Sequence, residues 1–350
     1  MSRPRLVNLL DDFALGGVSR GLGVFDAAAV RAVVDPSVVA FKPDAVIAPR
    51  CDADVIVTHF PPNWRRLAFL ASLRLRNPRA RIIHVEHSYT RAWEANKVAK
   101  KPRYRAMLKL ALRLVDQVVC VSNGQADWLS EAAGLKRDRI KVIYPYANNP
   151  GLAELPMPDF SGTAPIRIGA YGRFHEAKGF DRLIEAFGAG LFPGMELVIG
   201  GFGADKQRLQ RLADGIPGIR FYGKVTDVAD FLAECDVVTV PSRWEAFGQV
   251  ATEAREAGRP ILTSPVDGLA EQVGTAGLVI DFTSDQAIAQ AVASLDRTTL
   301  TAMAQAARAE TADCGPHRQQ QWAELLAASV PKAARQSADT AMVTQPSPVV

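Results

Sequence analysis

Short runs rich in valine and isoleucine recur along this 350-residue chain, and stretches of helical periodicity separate them. That alternation narrows the fold more than any other feature. In the first half the runs are "RLVNLL" (5–10), "DVIVTHF" (54–60), "RIIHVEHS" (81–88), "QVVCVS" (117–122) and "IKVIYP" (140–145). They lack the polar alternation of a sheet with one wet face, so they predict parallel strands covered on both sides. Helices are predicted between them at 63–76, 101–115 and 124–133. The pattern restarts with "IRIGAYG" (166–172), "ELVIGG" (196–201), "IRFYG" (219–223), "DVVTVPS" (236–242), "PILTS" (260–264) and "GLVIDF" (277–282). Strand–helix alternation of this kind implies doubly wound α/β sheets, here two of them.

A segment with five prolines, 145–165, separates the two halves. The expected division is a domain over 1–150, a linker over 151–165, a second domain over 166–314 and a helix over 315–330 that crosses back to the first domain. The tail 331–350 lacks an apolar period and is expected to be disordered. The halves also differ in charge. Residues 1–150 hold 24 basic and 13 acidic side chains, whereas 151–350 hold 17 and 24. Within 64–113 the count is 14 to 2, which makes this the most anion-seeking part of the chain. The first residues carry too few apolar positions for a signal peptide, and no run reaches membrane-spanning length. Four distant cysteines without metal or redox spacing read as free thiols of a reducing cytosol.

In open α/β sheets ligands bind outside the carboxyl ends of the strands, so residues there are the candidates. Arg173 and Lys178 follow the first strand of the second half, where two cations beside a helix start form a phosphate clamp. Gly172, Gly200, Gly201 and Gly203 allow close backbone approach. A dinucleotide G-x-G-x-x-G is not completed, because Lys206 stands at its last position. "SRWEAFGQVATEA" carries Glu245 in a loop and Glu253 about two turns into a helix starting near Phe247. That spacing puts the carboxylates on different faces, so they suit two polar parts of one ligand better than an acid/base pair. In the first half Gly16-Gly17 lies where a strand meets its helix. Along "RIIHVEHSYT" a period of two sets His84 and Glu86 on one face, with His84 packed and His87 at the strand's end, better placed to meet a substrate. No set has metal-ligand spacing.

The ordered run "GRFHEAKGFDRLIEAF", "ELVIGGFG", "FYGKVTDVADFLAECDVVTVPS", "EAFGQVATEAREAGRPILTS" and "GLAEQVGTAGLVIDF" resembles the C-terminal half of the family 4 retaining glycosyltransferases. Glu245 and Glu253 match that family's E-x(7)-E element. The N-terminal half resembles it through Gly16-Gly17, "VEHSYT" and "QVVCVSNGQADWL", while "YPYANN" replaces the Asn-Gly usual after its last strand.

The resemblance implies a GT-B fold, two Rossmann-like α/β domains facing across a cleft, and no cofactor beyond a nucleoside-diphosphate sugar as co-substrate. It implies that Arg173 and Lys178 hold the diphosphate without a metal, that Gly17 lines it from the opposite domain, that Gly16, Gly172 and Gly201 belong to the donor site, and that Glu253 binds the ribose. Glu245 and the backbone at Phe247 and Gly248 would position the sugar, and His87 would contact it near the reacting carbon. The implied activity is transfer of a hexose to a saccharide or lipid-linked saccharide, in surface polysaccharide or glycolipid synthesis. The expected location is the cytoplasm, peripheral at the inner face of the cytoplasmic membrane. "KVAKKPRYRAMLKLALRLV" (97–115) reads either as an interfacial helix on anionic lipid or as an ordinary helix packed on the sheet. Nucleic acid is not an expected partner, because no recognition module is visible. The rivals are a nucleotide-sugar epimerase on the same fold and a non-catalytic nucleotide-binding or membrane-associated protein.

Overall fold

The computed structural model describes residues 3–11, 21–145, 149 and 151–330. Gly16, Gly17, the tail 331–350 and residues 146–148 and 150 of the proline-rich segment lie outside them. The chain divides into two compact units. The first takes the described residues within Met1–Tyr89, Lys97–Asn148 and Pro316–Val350, and the second takes Thr90–Asn96 and Asn149–Gly315.

The first unit holds β1 (Arg5–Leu10), β2 (Asp35–Ala40), β3 (Val55–Thr58), β4 (Arg81–Glu86), β5 (Gln117–Cys120) and β6 (Ile140–Val142). They form one sheet in the order β2-β1-β3-β4-β5-β6, every pairing parallel. The chain leaves β1 for β2 on one side and then crosses to β3 on the other. The topological switch point therefore lies between β1 and β3. β2 was not predicted: it is a half-wet edge strand with Pro36 at its second position, so it lacks the apolar run of its neighbours. Helices Arg66–Arg76 and Lys101–Arg113 pack on the sheet through Phe69, Leu70 and Leu73, and through Met107, Leu108, Ala111 and Leu112. Met107, Leu108, Ala111 and Leu112 of Lys101–Arg113 are thus committed to the core, as an ordinary helix packed on the sheet requires, while Leu110 stays exposed.

The second unit holds β7 (Ile166–Arg173), β8 (Met195–Phe202), β9 (Ile219–Gly223), β10 (Val237–Val240), β11 (Ile261–Thr263) and β12 (Gly277–Val279). Their order is β12-β11-β10-β7-β8-β9, again all parallel, with the switch point between β7 and β10. Alternate residues feed two cores, as a period of two requires. Ile168, Ala170, Leu197 and Ile199 enter one, and Tyr171, Val198, Val238 and Val240 the other.

The segment expected as a linker is anchored in this unit. It carries a short helix, Gly151–Glu154, and Leu152 and Phe160 are buried in the two cores. Its prolines interrupt regular structure without preventing apolar side chains from docking. Helix Cys314–Ser329 closes the described chain, and from Pro316 it counts with the first unit. There Arg318 donates to the Pro145 carbonyl at 2.6 Å, and the Trp322 ring meets Phe25 edge-on at 4.8 Å. The four cysteines are free. Burial raises the thiol pKa of Cys51 and Cys120, and raises that of Cys235 to about 12.

Candidate functional site

In the second unit the candidate residues gather where β7 and β10 part. β7 ends at Arg173, a 3-10 turn Glu176–Lys178 follows, and Gly179 leads into helix Phe180–Gly188. Lys178 thus sits in the turn rather than in the helix. Its Nζ donates to Glu245 Oε2, and Ser242 Oγ lies 3.5 Å from the same oxygen. Arg173 is exposed and has no hydrogen bond or ion pair with its side chain among the described residues.

A neighbouring arginine, not singled out from the sequence, joins these two loops. The Arg243 guanidinium grips Asp181 with two bonds, 2.8 and 3.0 Å, and also donates to the Glu176 carbonyl at 2.7 Å. Its backbone N–H reaches the Ala177 carbonyl at 2.7 Å. The planar fork of arginine suits this bidentate grip, and it fixes the Glu245 loop against the Lys178 turn.

Glu245 is held from its other side by Asp267. The Glu245 N–H donates to Asp267 Oδ2 at 3.3 Å, and the same carboxylate accepts from Thr90 Oγ1 at 2.7 Å and from the Ala92 N–H at 3.1 Å. Burial raises the Asp267 pKa; these three hydrogen bonds oppose the shift and the Glu245 charge adds to it. Asp267 itself has left-handed backbone, φ 44°.

The helix carrying Glu253 runs Gln249–Glu256, so it starts two residues later than predicted. Gly248 precedes it with φ 89°, a conformation that disfavours any side chain. A Cβ there would lie 2.4 Å from Leu269 Cδ2 and 3.1 Å from Glu245 Cγ. Gln272 clamps the entrance: its amide donates to the carbonyls of Phe247 (2.5 Å) and Gly248 (3.3 Å), and its oxygen accepts from Thr252 at 2.6 Å. No described acceptor takes the Gly248 N–H.

Glu253 is only 2% exposed, and the Tyr171 hydroxyl donates to its Oε2 at 2.6 Å. It is not a solvated surface glutamate. Gly201 has a packing role: with φ 147°, a Cβ would fall 1.9 Å from the carbonyl oxygen of Gly172, its partner across β7 and β8. At the end of β8, Phe202 is 54% exposed and Lys224 Nζ lies 5.3 Å from its ring centroid.

In the first unit His87 follows β4, and the structure adds Asn8 and His59 to it. His59 Nδ1 lies 3.1 Å from His87 Nε2, and His59 Nε2 lies 3.0 Å from Asn8 Oδ1. Asn8 belongs to β1 and His59 follows β3, so the pair marks the switch point of this sheet. His84 is buried, 3.0 Å from Thr58 Oγ1 and 3.5 Å from Glu86 Oε2. The other oxygen of Glu86 accepts from the N–H groups of Ser88 and Tyr89. Burial holds His59 well below the usual imidazole range, and repulsion from His87 and His84 adds to this. Burial also lowers His87 to about 4, with the Glu86 charge opposing and His84 adding. Among the described residues no cluster of three or more His, Cys, Asp or Glu is placed to hold a metal, and no helix is long and apolar enough to cross a membrane.

Two doubly wound parallel sheets, each with candidate residues at its switch point, define the α/β class of the GT-B fold. Comparison with known proteins agrees. The model described as "Glycosyl transferases group 1" matches residues 165–297, and "Glycosyltransferase Family 4" matches 38–148. Each unit of the chain thus resembles a family of glycosyltransferases. It is similar to the lipopolysaccharide core biosynthesis glycosyltransferase LpsE of Rhizobium meliloti, 30% identical over 219 residues, which is 57% of this chain and 63% of that one. The chain spans 55–63% of the length of this and two further curated relatives. In fold it is similar to Anabaena HepE in complex with UDP-glucose (TM-score 0.72, 19% identity, 93% of this chain and 100% of that one). It is also similar to WaaG, a glycosyltransferase involved in lipopolysaccharide biosynthesis (TM-score 0.66, 17% identity, 92% and 99%).

Proposed function

We propose that the protein is a retaining glycosyltransferase. It moves a hexose-type sugar from a nucleoside-diphosphate sugar to a saccharide or lipid-linked saccharide acceptor, in the synthesis of a surface polysaccharide or glycolipid. The observation that carries this reading is Arg173, an exposed cation whose side chain has no partner among the described residues, at the end of β7 and five residues before Lys178. As the bond from the anomeric carbon to the diphosphate oxygen breaks, negative charge grows on the leaving group. Cations aimed there stabilise the transition state more than the ground state, which speeds the step without a metal. The acceptor oxygen bonds the same face of the carbon, and its proton leaves with the diphosphate.

Glu253 takes the ribose hydroxyls in this reading, while Glu245 and the Gly248 N–H position the sugar. Gly172, Gly201 and Phe247 shape the backbone around the donor. His87, in the first unit, takes a sugar hydroxyl. The protein works in the cytoplasm, at the inner face of the cytoplasmic membrane. The basic segment 64–113 supplies the attraction to anionic lipid, and Trp64, Leu75 and Leu110 are exposed apolar side chains within it.

A panel of labelled nucleotide sugars, beginning with UDP-glucose because HepE is found with it, tests the reading with lipid-linked and free saccharides, each run with and without EDTA. Labelled acceptor plus free nucleoside diphosphate, undiminished by EDTA, is the expected result. An epimerised donor formed without acceptor means an isomerase instead. Vesicle flotation with and without anionic lipid tests the membrane component.

A further inference from the structure

The hydrogen-bond geometry around His59 fixes where its proton sits. Asn8 Nδ2 faces the Ser37 carbonyl at 3.5 Å, so the amide oxygen is the atom turned toward His59 Nε2, 3.0 Å away. An amide oxygen only accepts, and a neutral imidazole carries one N–H. His59 therefore bears its hydrogen on Nε2 and offers a lone pair at Nδ1. His87 Nε2, 3.1 Å from that lone pair, must be the donor. The second ring nitrogen of His87, Nδ1, is left as an acceptor, and no described group takes it.

We propose that Asn8 and His59 are positioning residues that hold His87 in its Nε2–H form, so that His87 Nδ1 accepts a hydrogen bond from a substrate hydroxyl. The assignment of the ligand to a sugar hydroxyl rests on the transfer reading; the tautomer does not. A neutral acceptor at this point selects a hydroxyl over a phosphate oxygen, which at neutral pH has no hydrogen to give. The surroundings support neutral rings. Asn8 is 1% and His59 8% exposed, and the Phe25 ring lies edge-on 5.9 Å from His59; of the other titratable groups nearby, His84 bonds to Thr58 and Glu86 to the N–H groups of Ser88 and Tyr89, while His84 Nε2 and Glu86 Oε2 face each other at 3.5 Å. Burial works against the cation in both His59 and His87. His87 is the better placed of the two to meet a ligand because it is the more exposed.

Long-range proton–nitrogen correlation spectra of the full chain, labelled with 15N-histidine and assigned with His59→Gln and His87→Gln, read the tautomers directly at pH 7. The expected result is Nε2–H for both rings. Asn8→Asp is expected to hold His59 as the cation, whose Nδ1–H then donates to His87 Nε2 and moves the His87 proton to Nδ1. An Nδ1–H form of His87 in the unsubstituted protein overturns the proposal even if the variant does not fold, and so does a His87 spectrum unchanged by Asn8→Asp in a folded variant. The spectra need no sugar donor, so they decide this point even for a protein that transfers nothing.

Discussion

Lys178 donates a hydrogen bond to Glu245 across 67 positions of sequence, at the place where β7 and β10 part. The pair ties the cation proposed for the leaving group to the carboxylate proposed for the sugar. Both loops are braced, by Arg243 on one side and Asp267 on the other, so the pair is held by more than its own charge. Glu245→Gln keeps the shape and removes the charge. Steady-state kinetics with the donor found by the panel are expected to show kcat lowered by about 10²–10³-fold, the scale of losing one preorganised transition-state contact. An unchanged kcat removes Glu245 from the chemistry.

Tyr171 donates its hydroxyl hydrogen to Glu253, a carboxylate that is almost wholly buried. Tyr171→Phe deletes one hydroxyl and leaves that Glu253 oxygen without its tyrosine partner. Urea unfolding is expected to show a loss of about 1.5–3 kcal/mol, the range for a hydrogen bond to a charged group. The donor KM is expected to rise, since Glu253 also takes the ribose in this reading. Unaltered stability means that water or another donor replaces the hydroxyl.

Gly248 combines a positive φ with a wall on its Cβ side. Gly248→Ala is expected to cost about 1–3 kcal/mol from backbone strain, more with the clash against Leu269. Because the new methyl also presses on Glu245, activity is expected to fall further than stability. Adding Leu269→Ala gives room but leaves the strain, so it restores part of either quantity. Full recovery in the double variant shows that φ does not matter there.

Legibility in the sequence depended on whether a residue's partners lie near it in the chain. Both sheets were readable because buried parallel strands repeat Val and Ile without polar interruption, whereas β2 was missed because an edge strand needs no such repeat. Helix Arg91–Lys97 was missed for a related reason: it is short, and its apolar residues Ala92, Trp93 and Ala95 are too few to show a helical period. Glu245 and Glu253 were found through spacing. Asn8, His59, Tyr171, Asp267 and Gln272 each stand as one polar residue in an unremarkable local setting. Asn8 and His59 are 51 positions apart, and Tyr171 and Glu253 82, so only the folded sheet order brings them together.

The two lowered histidines predict a pH dependence of stability with a definite sign. His87 falls to about 4 in the folded chain, against about 6.5 unfolded, and His59 is shifted in the same direction. Between those values the unfolded chain binds more protons, so stability rises with pH from about 4 to about 6.5 and is fully present above that. Urea titrations at pH 5 and pH 7.5 are expected to show the loss, and His87→Gln is expected to reduce the difference between them. An equal difference in the variant assigns the dependence to other groups.

The leaving-group role of Arg173 and Lys178 is tested most directly by turnover at saturating donor. Arg173→Ala and Lys178→Ala are each expected to lower kcat by about 10²-fold or more, because the contacts strengthen as charge develops on the departing diphosphate. A rise in the donor KM with kcat unchanged would contradict that role, since that pattern belongs to residues that bind the donor and its transition state equally.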